Sequence, residues 1–188
     1  VTTGHVFIAM SLDGYIARED DRLDWLTQRD AAGEDHGYDA FIAGIDGLVM
    51  GSGTFRTVLG YGGDWPYAKP VVVLSHSLTD SDIPEDLRGR DQLSRLDPAA
   101  LMQDLAARGW RRAYVDGGRV IRAFLARGLI ADMQVTLVPV LIGRGRPLFG
   151  GMDLEDDIGL TVQGVRQFPS GLLTVRYSVS ASRPGKDT

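Results

Sequence analysis

The sequence predicts an α/β fold in which a mostly parallel central sheet is covered on both faces by helices and ends in antiparallel strands. Short, nearly continuous apolar runs, the pattern of strands buried on both faces, occur at residues 5–10, 47–50, 71–74 and 113–115. Through residue 128 these runs alternate with segments of helical spacing, and from Met133 onward strand-like segments follow one another with no helix between them. No internal repeat or linker divides the 188 residues, so they read as one domain, 1–188, with a tail from about residue 183 expected to fray.

The elements follow in order. His5 to Met10 is the first strand, and Ser11-Leu-Asp-Gly14 turns the chain. Tyr15-Ile-Ala leads to a polar, loop-like segment, 18–22, and then to Leu23-Asp-Trp-Leu26, where Trp25 is either a lid over the core or part of a pocket wall. Tyr38, Phe41, Ile42 and Ile45 share one helix face, with Gly44 or Gly47 as the stop. Gly47 to Met50 is a buried strand followed at once by Gly51-Ser-Gly-Thr54 and a helix-like Phe55-Arg-Thr-Val-Leu59. The loop Gly60 to Tyr67 is rich in glycine and aromatics, which makes it ligand-facing or mobile. After the strand Val71 to Leu74 comes Ser75-His-Ser77, and residues 79–92 read as irregular. Asp97-Pro98 gives a cap and a first-turn proline for a helix burying Leu101, Met102 and Leu105 and stopping at Gly109.

The centre of the pattern is Ala113-Tyr-Val-Asp-Gly-Gly-Arg-Val-Ile-Arg-Ala-Phe-Leu-Ala-Arg-Gly128, a strand, two glycines and an amphipathic helix. At such a junction the first-turn N–H groups have no internal partner and the helix dipole is positive, which suits an anion. The alternative is a tight turn in which glycine only relieves backbone strain. Met133 to Ile142 reads as the next strand, ended by Gly143-Arg-Gly-Arg-Pro147. Two further strands lie near residues 159–166 and 172–179.

Composition bounds the function. A 44% hydrophobic, 24% charged chain is an ordinary globular protein, and its net charge of -5 without a dense basic block argues against nucleic acid as partner. The absence of cysteine excludes disulfides and thiolate metal sites, and the scattered histidines and aspartates predict no metal. Neither a signal peptide nor an apolar run near the roughly 20 residues of a membrane helix is evident, so a cytoplasmic location is expected. The usual dinucleotide fingerprint and the phosphate-loop motif are both missing.

Five motifs nevertheless carry a family resemblance. Val6-Phe-Ile-Ala-Met-Ser-Leu-Asp-Gly-Tyr-Ile-Ala17, Val49-Met-Gly-Ser-Gly-Thr-Phe55, Val73-Leu-Ser-His76, Val115-Asp-Gly-Gly118 and Pro139-Val-Leu-Ile-Gly-Arg-Gly-Arg-Pro-Leu-Phe149 keep their order across the chain. Together they resemble the dihydrofolate reductase-like superfamily, most closely the reductase domain of the bifunctional riboflavin-biosynthesis deaminase/reductase and its stand-alone relatives.

The resemblance implies a three-layer fold with eight or nine strands, NADPH as hydride donor in preference to NADH, and a homodimer. Carried over by motif, Ala9 and Ile16 would flank the nicotinamide, while Gly51, Ser52, Gly53 and Thr54 would hold one side of the cofactor. Leu74, Ser75 and His76 would meet the adenosine end. Gly117, Gly118, Arg119, Val120 and Ile121 would meet the pyrophosphate, with a cis peptide joining the two glycines. On this reading Gly118→Ala should weaken cofactor binding far more than it weakens the fold.

Relatives commonly have arginine where this chain has Ser52 and a basic residue where it has His76. They also carry a serine/arginine motif for a ribose phosphate where this chain has Gly60 to Tyr67. The expected substrate is therefore a small pterin-like or pyrimidine-like heterocycle other than the phosphoribosyl intermediate. Adding hydride to C=N or C=O also requires a proton. Asp13 and Asp35 are the candidate donors, and Trp25, Asp39 and Trp65 are candidate substrate contacts. A nucleotide-binding protein without catalysis is the alternative function.

Overall fold

The computed structural model describes residues 1–29 and 33–180. The expected fraying tail falls outside these residues. The chain builds an eight-stranded sheet of order β5-β4-β3-β6-β1-β7-β10-β9. Its members are β1 (Thr3–Ser11), β3 (Gly47–Gly51), β4 (Val71–Leu74), β5 (Gln92–Ser94), β6 (Arg112–Asp116), β7 (Ile130–Val138), β9 (Leu160–Gln167) and β10 (Leu173–Val179). The strands from β5 to β7 run parallel, and β10 and β9 then pair antiparallel. This is the predicted α/β architecture. A separate two-stranded ribbon joins β2 (Tyr15–Ala17) to β8 (Arg146–Pro147).

Alternation along β3 and β6 divides the core between the two faces of the sheet. Val49, Ala113 and Val115 point to the face covered by α4 (Pro98–Ala107) and α5 (Gly118–Leu125), where they pack with Leu101, Leu105, Ile121 and Phe124. Leu48, Met50 and Tyr114 point to the other face, under α2 (Tyr38–Ala43) and α3 (Ser52–Gly60), with Phe55, Phe41 and Ile42. A short helix α1 (Asp24–Thr27) closes a third cluster beside the end of β7.

Local chemistry accounts for the element ends. Asp97 Oδ1 accepts the amides of Ala99 and Ala100 at 2.9 and 3.2 Å, and Pro98 takes the first helical position of α4, where no donor is needed. Gly44 caps α2, as its place in the sequence suggests. Before β6, Asp46 accepts the amides of Arg111 and Arg112, and these bonds hold its carboxyl below the usual range.

Several expectations need correction. The seventh strand begins at Ile130 and stops at Val138, because Pro139 brings no N–H to the ladder. The strand β5 lies at the end of the stretch read as irregular, and β2 and β8 were not expected as strands. Within β1 itself, the buried His5 ring places Nδ1 2.8 Å from Asp132 Oδ2 and Nε2 2.8 Å from Thr3 Oγ1.

Candidate active site

The parallel strands end together at Ser11, Gly51, Leu74 and Asp116, the edge at which open α/β sheets bind ligands. Two helices start there. Glycines 51 and 117 are the N-caps of α3 and α5, and neither helix has a side-chain cap, so their first-turn amides remain available. The two junctions interlock. A β-carbon on Gly117, whose φ is +92°, would run into Thr54 Oγ1, and one on Gly51 would lie 3.1 Å from Val120. By contrast, a β-carbon on Gly53 would meet nothing within 4 Å. The backbone at the start of α3 is therefore open on this side.

The second glycine of the pair is differently placed. A β-carbon on Gly118 would stand 2.6 Å from the carbonyl oxygen of Pro147 and 3.2 Å from Ile16 Cδ1. Its missing side chain makes room for the β2–β8 ribbon rather than for a ligand. The expected cis bond is absent too: the Gly117–Gly118 peptide is trans.

Other predicted site residues fall into two groups. Ala9, Ile16, Ser52, Thr54 and Leu74 are half-buried at or near the strand ends, and His76 and Arg119 are exposed. Ser75 is buried, with its Oγ accepting the amides of Ser77 and Leu78 and lying 3.4 Å from Ser77 Oγ, so its hydroxyl is engaged within its own turn. Ile121 belongs to the core beneath α5 and cannot line a cofactor groove. Trp25 is 1% exposed and packs with Val138, Phe168 and Leu172, making it a core residue rather than a substrate contact. Trp65 is wedged edge-on between Phe55 and Tyr67 and so props Tyr67. Asp39 is exposed on the first turn of α2.

Neither candidate proton donor suits the task. Slight burial alone would raise the Asp13 carboxyl. The Ser11 hydroxyl and the amides of Gly143 and Ile142 outweigh that effect and hold it below the usual range. Asp13 therefore works as an ionised clamp between the turn after β1 and the loop after β7. Asp35 accepts the Gly37 amide at 2.7 Å and turns the chain into α2, while its carbonyl takes a bond from Arg166.

The acid that sequence reasoning passed over is Asp116. It is the last residue of β6, half-buried, with Oδ1 accepting the Gly117 amide at 2.8 Å. Burial drives its pKa up to about 6, against the pull of that one bond. Its charge is felt by Tyr38, Tyr67 and Tyr114, each raised above the usual tyrosine value, first by burial and then by this carboxylate. Tyr114 Oη is engaged, donating to the Phe7 carbonyl at 2.9 Å. A carboxyl poised near neutrality among aromatic walls can hold and release a proton. The available signal was an acid at the last position of a buried strand, directly before the glycine pair.

Known proteins bear on this geometry. The chain is 29% identical to the uncharacterized protein YwjB of Bacillus subtilis (strain 168) over 163 residues, 87% of this chain and 90% of that one. A crystal structure from Shewanella sp. PV-4, provisionally assigned to riboflavin biosynthesis, shares 38% identity and a TM-score of 0.88, with 95% of this chain and 99% of that one covered. The Thermotoga maritima diaminohydroxyphosphoribosylaminopyrimidine deaminase/5-amino-6-(5-phosphoribosylamino)uracil reductase superposes with a TM-score of 0.67 at 15% identity, over 95% of this chain and 57% of that longer one. That likeness is one of fold. The profile of the RibD C-terminal domain matches residues 2–174, which takes in both glycine junctions and Asp116, and the chain accordingly belongs to that family, with its dihydrofolate reductase-like α/β fold.

Proposed function

We propose that this chain is an NADPH-dependent reductase of a flat, phosphate-free nitrogen heterocycle of pterin or pyrimidine type, with Asp116 supplying the proton that accompanies hydride. The observation that carries the reading is the raised Asp116 carboxyl at the strand-end edge, ringed by tyrosines. Bound NADPH would supply the hydride. The chain would hold it with the open first turn of α3 at Ser52 to Thr54, with Arg119, and with the strand ends at Ala9, Leu74 and His76. No lysine or arginine lies in residues 60–67 to pair with a substrate phosphate, and Asp64 adds an acid there. That favours a substrate lacking the ribose phosphate.

The end of β4 presents Ser75-His-Ser77, with no carboxylate to bond a ribose 2′-hydroxyl and repel a 2′-phosphate. With Ser75 partly engaged, His76, Ser77 and Ser52 are the remaining donors, and the expected preference for NADPH over NADH is about tenfold.

NADPH oxidation followed with a panel of oxidised pterins and pyrimidines tests the function. Asp116→Asn should lower kcat on the accepted substrate by about a hundredfold or more while leaving the NADPH dissociation constant within about twofold. Full activity in that variant would move the acid elsewhere. Tight NADPH binding with no acceptor reduced would instead favour a nucleotide-binding protein without catalysis.

A further inference from the structure

Between α2 and the strands β7, β10 and β9 lies a groove of about 810 Å³, within the range of small-molecule sites. None of the residues assigned above to cofactor or substrate lines it. Phe41 forms the partition, with its ring 5.1 Å from those of Phe7 and Tyr114 toward the active site and another edge on the groove.

The groove gathers positive charge in a chain whose net charge is -5. Arg112, Arg166 and Arg176 line it against one carboxylate, Asp132, which already holds His5. Arg112 is only a distant partner of that carboxylate, at 4.0 Å. The Arg166 guanidinium is fixed, its Cζ 4.5 Å from the centre of the Phe168 ring and its Nη1 donating to the Asp35 carbonyl. The Arg176 side chain makes no hydrogen bond or ion pair among the described residues. It lies across Gly164, where a β-carbon would stand 2.9 Å from Nη2 and 3.4 Å from Nε, so glycine at 164 lets the guanidinium rest on the sheet. The Gln134 amide, which also lines the groove, ties the chain before α2 by donating to the His36 carbonyl at 3.0 Å.

We propose that this groove is a binding site for a small organic polyanion, bearing two or more phosphate or carboxylate groups. Planar guanidinium forks on adjacent strands suit such groups, and Phe41 and Phe168 offer apolar walls to the rest of the molecule. A ligand there would touch α2 on the side away from Asp116.

Calorimetric titration of the full chain at constant ionic strength, with pyrophosphate and with citrate as probes, tests the site and separates phosphate from carboxylate chemistry. Saturable binding of either probe is expected, at least tenfold weaker in Arg176→Glu and partly restored in Arg176→Lys. The exposed Arg176 side chain makes no bond that holds the fold, so the variants should remain folded, as circular dichroism would verify. Three results overturn the proposal: no saturable binding of either probe; binding lost in Arg119→Ala but kept in Arg176→Glu, which would put the anion in the cofactor cradle; or a dimer that Arg176→Glu converts to monomer, which would make the groove an interface between copies.

Discussion

The carbonyl oxygen of Pro147 occupies the space that a side chain on Gly118 would need, 2.6 Å from where its β-carbon would lie. Arg122 Nη1 donates to the same oxygen at 2.6 Å, so the start of α5 and the β2–β8 ribbon close on each other at one point. Gly118→Ala must push the ribbon away or break that bond. The variant should lose about 1–3 kcal/mol of stability in urea denaturation, as overpacked sites do. This reverses the expectation drawn from sequence, in which the methyl group met the cofactor. Unchanged stability with weakened NADPH binding would restore it.

Asp116 makes stability depend on pH in the direction opposite to most carboxylates. Its folded pKa of about 6 lies above its ordinary 3.8, so the native state binds the proton more tightly than the unfolded chain. The contribution is fully present below about pH 4 and is lost as pH rises through about 6. Asp116→Asn should flatten stability across this window and, at pH 8, exceed the parent by up to about 3 kcal/mol. Denaturation midpoints at four pH values decide it; parallel curves for parent and variant would count against a raised carboxyl.

Asp13 should behave in the ordinary way. Its carboxyl is held low, so the clamp on Ile142 and Gly143 is present at neutral pH and weakens as pH falls through the folded pKa, below about 4. Replacing it with alanine should cost about 1 kcal/mol, since the bonds are exposed to solvent. The pH profile of kcat should keep its shape. A lost limb in that profile would return Asp13 to the chemistry.

The outer strand β9 leaves Leu160, Val162 and Val165 exposed at 45%, 56% and 62%. An apolar edge strand invites pairing with another chain. We propose a homodimer through this edge, to be seen in light scattering as a mass near twice 20.4 kDa at micromolar concentration. Val162→Lys should shift it to monomer. A monomeric parent would exclude the proposal.

The legible parts of this protein are those in which neighbouring residues carry the information. Strand–glycine–helix junctions declare themselves because apolar runs, glycines and helical spacing adjoin, and Asp97-Pro98 marks the start of α4 by local hydrogen bonding alone. The ribbon partners Tyr15 and Pro147 meet across most of the chain in two very short strands, with too few residues to show alternation. Polar β5, pairing through Gln92 to Ser94 at the margin of the sheet, looks like a loop for the same reason. Trp25 could be lid or wall until the positions of Phe168 and Leu172 were known. Asp116 owes its altered acidity to burial at the end of β6, a consequence of packing between distant segments that no neighbouring residue announces.

The placement of β1 bears on how the chain is made. Of the strands in this sheet β1 is the first to be made, and it lies in the middle, between β6 and β7, whose residues come about a hundred positions later. Until β6 and β7 are made its apolar residues have neither neighbour, and the sheet cannot become continuous until Ile130–Val138 has left the ribosome. Such long-range pairing slows folding and prolongs the exposure of a sticky segment. Nascent chains stalled before residue 130 should therefore depend more heavily on chaperones than chains stalled after residue 138.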